Sequence, residues 1–446
     1  MWWALWMTAW AGEDPFALSP VAVVLDNGLE VFVEEDRRTD SVALHLHYGV
    51  GARDERPGEY GCAHLFEHLM FEGSANVPTD QFDTWLTQAG GWNNAYTSDD
   101  ETAYHMVFPS GALDLALFLE SDRMGFLDAG LHEANLTNQQ QVVLQERAEG
   151  YAAPHGKEWD ALQRVLWPSS HPYHVPVIGT IGDVEGFQIE AVRDFWSRHY
   201  RSRNAVLAIV GNVNAEEAIA RIEHWFRDVE DAGAPEVRVT EHVPYTGSEM
   251  KAGMIEDQVE DRTLWVAWPT VPLGHVDEPA LDLASYLLSY GRGTRLDERL
   301  QLAGKATENG AYHFSGEIDG QFLLIARSER TPLETLDKIQ RKEIARLAKK
   351  APKFDEVERA LRAVRGGMLD RIATPQGRAS AIVDCWRLTG EADCVGRDMA
   401  RYEAVTPEDI RRAVETWLTE ERAVTLSVVP AGDSGAMPGA KNVELP

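Results

Sequence analysis

Two histidines and a glutamate, His64, Glu67 and His68, stand in the order H-x-x-E-H within the stretch from Gly61 to Phe71. On a helix, positions i, i+3 and i+4 stack on one face about 5–6 Å apart, so the three polar groups converge. Leu65, Phe66, Leu69, Met70 and Phe71 surround them with apolar surface. Two imidazoles and a carboxylate buried there need a partner such as a metal ion. Zinc suits that need: two imidazoles and one distant carboxylate leave a fourth tetrahedral position for water, whose pKa falls to about 7 at an open zinc site. Glu67 is then placed to take the proton of that water. The arrangement is the inverted zinc-peptidase motif. A chance match around satisfied core histidines is the alternative, and the downstream sequence argues against it by supplying what the motif lacks.

These residues need elements to hold them. Alternation predicts strands at residues 21–25 and 29–33 around an Asp26-Asn27-Gly28 turn, and a further strand from Ser41 to Val50. His45 and His47 share one face of that strand; with no third ligand nearby, a structural role is the plainer reading. A helix is predicted from Thr79 to Ala89, with a capping start at Thr79 and a stop at Gly90-Gly91. Residues 92–98 read as a turn or edge, followed by a strand alternating at Thr102, Tyr104, Met106 and Phe108. An edge strand beside a metal centre could pair with an extended peptide, although spacing alone favours an ordinary hairpin. Amphipathic spacing predicts helices at 110–126 and at about 132–151. The second of these carries Gln139 and, two turns on along the same face, Glu146. By spacing alone Glu146 competes with Glu133 and Glu149 for the role of third ligand.

A chain of 446 residues should hold two or more domains. Its net charge of −30 repels nucleic acid and anionic membrane alike. No apolar run after the extreme N-terminus is long enough to span a bilayer, so the mature chain is expected to have no transmembrane segment. Residues 1–11 are apolar and end in Ala9-Trp10-Ala11, an A-x-A-like cleavage site, so they read as a signal peptide, though one without a basic start. Export to the periplasm is the expectation, and a cytoplasmic chain with a mis-assigned start is the alternative. Cys385 and Cys394 are close enough to pair in an oxidising compartment, while Cys62 reads as a small core residue.

The second half repeats the plan of the first. The helix and apolar strand from Glu190 to Gly211 have a counterpart from Glu408 to Val429, displaced by 218 residues at both ends, which suggests a duplicated domain. The expected organisation is a metal-binding domain at 12–230, an acidic linker at 231–248 and a homologous domain at 249–446. From the linker onward the histidines are His242, His275 and His313, none at helical spacing from another. The second half therefore lacks a site of this type, and one zinc ion per chain is expected.

With these residues assembled, the sequence resembles the pitrilysin, insulin-degrading and mitochondrial-processing-peptidase family, in its short bacterial two-domain form. The likeness is most specific at Val50 to Glu55, His64 to Ser74, Asn94 to Ser98 and Val142 to Glu146. It implies an α+β fold of two homologous domains, each an antiparallel-rich mixed sheet with helices packed on one face. It makes Glu146 the third zinc ligand and places Asn94, Ala95, Tyr96 and Thr97 on a sheet edge to which peptide substrates add. The implied activity is zinc-dependent endopeptidase cleavage of peptides or small unfolded polypeptides inside a chamber formed with a homologous subunit. A non-catalytic scaffold of the same fold is the alternative. Two positions depart from the family pattern. Gln139 stands where a glutamate commonly acts behind the ligands. Gln301 and Glu308 stand where self-sufficient members carry an Arg and a Tyr, with Tyr312 out of register. The second departure implies a partner: a metal-less homologue that supplies the Arg/Tyr pair.

Overall fold

The computed structural model describes residues 14–238, 250–256, 259–433 and 435–445. The expected signal peptide and residues 239–248 of the expected linker, His242 included, lie outside the described residues. Two six-stranded sheets organise the rest. The first contains β1 (Val21–Val24), β2 (Glu30–Glu35), β3 (Ser41–Tyr48), β4 (Trp92–Thr97), β5 (Thr102–Pro109) and β6 (Ala205–Gly211) in the order β1-β2-β6-β3-β5-β4. The second contains β7 (Met250–Glu256), β8 (Arg262–Thr270), β9 (Glu308–Ser315), β10 (Gly320–Ser328), β11 (Val424–Pro430) and β12 (Lys441–Asn442) in the order β12-β7-β11-β8-β10-β9.

The sheets share one plan. β6 runs parallel to β2 and antiparallel to β3, and β11 runs parallel to β7 and antiparallel to β8. Each of these central strands follows a helix, Ile189–His199 in the first half and Pro407–Trp417 in the second. The repeat seen in the sequence is thus a repeat of topology.

Each sheet carries helices of its own half on one face, and its other face receives a helix from the opposite half. Helix Pro375–Thr389 brings Ala379 and Ile382 into the core that contains Phe32, Val206, Ala208 and Val210 of the first sheet. Reciprocally, helix Glu158–Leu166 sets Leu162 and Leu166 among Trp265, Leu323 and Leu426 of the second. Covered on both sides, β6 is buried along its whole length, which explains its unbroken apolar run. At roughly 1.5–3 kcal/mol for each large apolar side chain fully buried, this exchange ties the two halves together.

The helix predicted at 79–89 runs from Gln81 to Gln88, and Thr79 does not cap it. The chain turns at Pro78, whose carbonyl accepts from the Gln81 N–H, and this puts Asp80 at the N-cap with φ +63° and no side-chain cap. Aspartate tolerates that left-handed backbone better than most residues. The helix predicted at 110–126 opens with a 3-10 turn, Ser110–Ala112, before Leu113–Phe126. His45 stacks on His105, and His47 Nδ1 lies 3.2 Å from Glu101; neither joins a metal-ligand cluster among the described residues. Cys385 and Cys394 form a disulfide, and Cys62 is a buried free thiol.

Candidate metal centre and active site

The H-x-x-E-H residues lie on helix Cys62–Leu69. The helix starts at Gly61, where φ is +97° and a Cβ would stand 2.9 Å from both Gly179 Cα and Ile178 O, so only glycine fits. Its first amides are capped from outside. Glu55 accepts the Gly61 N–H at 2.8 Å and the Ala63 N–H at 2.8 Å. A carboxylate at that end also suits the helix dipole, although burial pushes the Glu55 carboxyl well above the usual range. Leu65, Phe66 and Leu69 are buried, and the Phe66 ring packs on Tyr200 and Phe195 at 4.8 and 5.8 Å. That apolar face fixes the rotation of the helix and turns His64, Glu67 and His68 the other way.

One ligand atom each from His64, His68 and Glu146 lies within 4.8 Å of the others. Glu146 Oε2 stands 3.8 Å from His64 Nε2 and 3.5 Å from His68 Nε2. It comes from the long helix Glu133–Ala152, and neither Glu133 nor Glu149 joins the cluster. Burial, helped by the neighbouring His68, holds His64 down to about 4; burial also lowers His68, against the opposing pull of Glu146 and Gln139. Both imidazoles are therefore held toward the neutral form, which is the form that binds a metal. This donor set of two imidazole nitrogens and one carboxylate fits zinc.

Gln139 lies beside His68 and donates its Nε2–H to Glu72 Oε1. The carboxylate missing at position 139 is thus present one step further out, a role not foreseen for Glu72. Its place four residues after His68 was the available signal. Burial raises the Glu72 carboxyl, while the bond from Gln139 acts against the rise.

Glu67 is raised by burial and by Glu146, and Thr97 opposes this by donating its Oγ1–H to Glu67 Oε2 at 2.7 Å. Thr97 closes β4, which pairs with β5 alone and forms the outer edge of its sheet. Trp92, Asn94 and Tyr96 are exposed along this strand, while Asn93, Ala95 and Thr97 are half-buried. Asn94 Oδ1 accepts from the Ala95 N–H, and the Tyr96 hydroxyl donates to Glu101. The metal-ligand cluster opens at the surface, with the Glu146 side chain 52% exposed. A cavity of about 830 Å³ between the halves, lined by residues including Glu101, Glu317 and Arg387, does not contain the cluster.

In the second half, helix Glu278–Ser289 follows β8 as the motif helix follows β3, and it carries no histidine. Gln301 bonds to Thr307 and Asn309, and Glu308 pairs with Arg327. Tyr312 is exposed on β9, the outer strand of the second sheet, stacked on Phe314.

Residues 30–167 match the family model described as insulinase, peptidase family M16, and residues 186–364 match the one described as the M16 inactive domain. The chain belongs to the M16 peptidase family. This M16 chain is 27% identical over 333 residues to the zinc protease PqqE of Helicobacter pylori, across 74% of each chain. It is 22% identical over 413 residues to the uncharacterised zinc protease YmxG of Bacillus subtilis, across 91% of this chain and 97% of that one. Its fold matches the crystal structure of a protease from Helicobacter pylori with a TM-score of 0.87 at 23% identity, over 93% of this chain and 100% of that one. It matches pitrilysin with a TM-score of 0.77 at 17% identity, over 93% of this chain and 45% of that one. The M16 fold thus accounts for both sheets and their shared order. No helix among the described residues is long and apolar enough to cross a membrane.

Proposed function

We propose that this chain is the zinc-bearing subunit of a metalloendopeptidase that cleaves peptides or small unfolded polypeptides in a chamber closed by a homologous, metal-less partner. The observation that carries this reading is the convergence of His64, His68 and Glu146 within 4.8 Å, beside Glu67 and the edge strand β4. His64, His68 and Glu146 would hold one zinc ion. Such an ion, when bound, polarises the scissile carbonyl and eases deprotonation of water. Glu67 takes the proton of the attacking water and passes it to the leaving amine. Burial keeps the Glu67 carboxyl above its ordinary value, closer to the pH at which it must both accept and release that proton. The free edge of β4 aligns the peptide main chain, with Asn94, Ala95, Tyr96 and Thr97 as its contacts.

The open position of the cluster supports a partner, since a second surface facing it would hold the peptide against β4 and the metal site. Gln301 and Glu308, tied to neighbours in their own half, leave the Arg/Tyr function to that partner. The Cys385–Cys394 bond supports an oxidising location such as the periplasm. A scaffold role would fit the inactive-domain match of the second half, but the intact ligand set in the first favours catalysis. The test is zinc content and peptide cleavage by the purified chain, alone and mixed with a metal-less homologue from the same cell. Zinc at one equivalent in the motif site and activity that appears on mixing are expected. Full activity of the chain alone overturns the partner, and a motif site that binds no zinc overturns the enzyme.

A further inference from the structure

We propose that His155, Glu158 and Glu256 form a second divalent-cation site, separate from the H-x-x-E-H centre, at the junction of the two halves. One ligand atom from each lies within 4.8 Å of the others. The cluster was invisible in the sequence because its members come from the turn after helix Glu133–Ala152, the start of helix Glu158–Leu166 and the end of β7.

Glu256 is the observation that asks for a ligand. It is 1% exposed, and neither carboxylate oxygen has a hydrogen-bond partner. The His155 ring, Lys157 and the His155 backbone N–H each favour its charged form, but burial and the facing Glu158 outweigh them. A buried carboxylate in this position needs a positive partner. Glu158, also 1% exposed, is already oriented: its Oε2 accepts from Trp265 Nε1 at 2.9 Å and from Arg327 Nη2 at 3.1 Å, and its Oε1 faces His155 Nδ1 at 2.8 Å. On the other side of the imidazole, Nε2 lies 3.6 Å from Asp261. Three carboxylates thus surround one histidine, and the cations nearby are Lys157 and Arg327, the latter shared with Glu308. A dication balances that charge.

The backbone supports the same reading. His155 has φ +65° and is one of two non-glycine residues in the left-handed region among the described residues. Histidine tolerates that region better than most residues, so the turn can carry the ring at this place. One imidazole nitrogen with two carboxylates suits a borderline ion such as zinc rather than calcium or magnesium, which favour all-oxygen shells. An ion here would tie the end of the helix that carries Glu146 to the second sheet. The chain would then hold two ions where the sequence led to an expectation of one.

The test counts zinc in the full chain by mass spectrometry after equilibration with zinc and gel filtration, and follows the zinc-dependent rise in melting temperature. His68→Ala removes the first site, so this variant is expected to retain one equivalent and a zinc-dependent stabilisation. Adding Glu256→Gln should remove both. His155→Asn, which keeps a residue tolerant of the left-handed backbone, should do the same and serves if the Glu256 variant fails to fold. A His68→Ala protein without zinc, or one whose zinc survives both further substitutions, overturns the second site without bearing on the peptidase reading.

Discussion

Thr97 Oγ1 donates to Glu67 Oε2 at 2.7 Å, so the outer strand of the first sheet and the carboxylate proposed as the base are joined by a direct bond. A displacement of β4 would displace the base. The bond also holds the Glu67 carboxyl lower than burial and Glu146 would leave it. Thr97→Val should therefore keep zinc and fold while raising that carboxyl further. Glu67 must be ionised to accept a proton, so the acidic limb of the rate profile should move to higher pH. A kcat–pH series checks this, and an unmoved acidic limb would show that the bond is incidental.

In the proposed mechanism the neighbours Glu67 and His68 have separable duties, proton acceptor and metal ligand. Glu67→Gln removes the proton acceptor but no ligand, so zinc should remain at wild-type stoichiometry in the motif site while turnover falls about 10²–10⁴-fold, the usual contribution of a general base. His68→Ala removes a ligand, and zinc should leave that site together with activity. Metal analysis beside a peptide-cleavage assay distinguishes the two. Near-normal cleavage by the Gln variant would remove Glu67 from the mechanism.

What the sequence revealed was local or periodic. His64, Glu67 and His68 are close in the chain, and the alternation at Thr102, Tyr104, Met106 and Phe108 marks a strand whose inward residues are buried. The Glu190 and Glu408 repeat survives because the same helix and strand occupy the same place in both sheets. Contacts between distant segments left no such trace. Glu55 caps the motif helix across a loop, and Ile382 covers a sheet whose six strands all come from the other half. The left-handed Asp80 escaped because a capping signal at Thr79 looked sufficient. By spacing alone Glu146 is one glutamate among several; the family resemblance singles it out, and its distance from two imidazoles agrees.

The Gln139–Glu72 pair predicts a reciprocal experiment. Glu72 accepts from Gln139, which lies beside His68, so a carboxylate stands behind the proposed ligand with a neutral amide between them. Glu72→Gln should weaken zinc binding, toward the lower end of the about 10–100-fold range for such outer partners. Gln139→Glu alone should set two carboxylates against each other. The double exchange restores one donor and one acceptor and should recover most of the affinity. Chelator competition measures all four proteins; additive effects of the two substitutions would show that the residues do not act as a pair.

Asp99 and His45 pull the pH dependence of stability in opposite directions. Burial, reinforced by Asp100 and opposed by Arg53, holds Asp99 up to about 8. Its folded pKa lies above the unfolded value, so the unfolded chain loses its proton first and stability falls as pH rises from about 4 toward 8. His45 is held down to about 3 by burial and by the neighbouring His47 and His105. Its folded pKa lies below the unfolded value, so its contribution is complete above pH 6.5 and disappears as pH falls through that value toward 3. Each pH unit in either window is worth up to about 1.4 kcal/mol for each group. Asp99→Asn should therefore raise the melting temperature at pH 8 and change it little at pH 4, whereas His45→Gln should flatten the fall in stability between pH 6.5 and 4. Melting curves of metal-free protein across that range read both effects. A gain from Asp99→Asn that is equal at pH 4 and pH 8 would trace its effect to packing rather than to a carboxyl kept protonated by its surroundings.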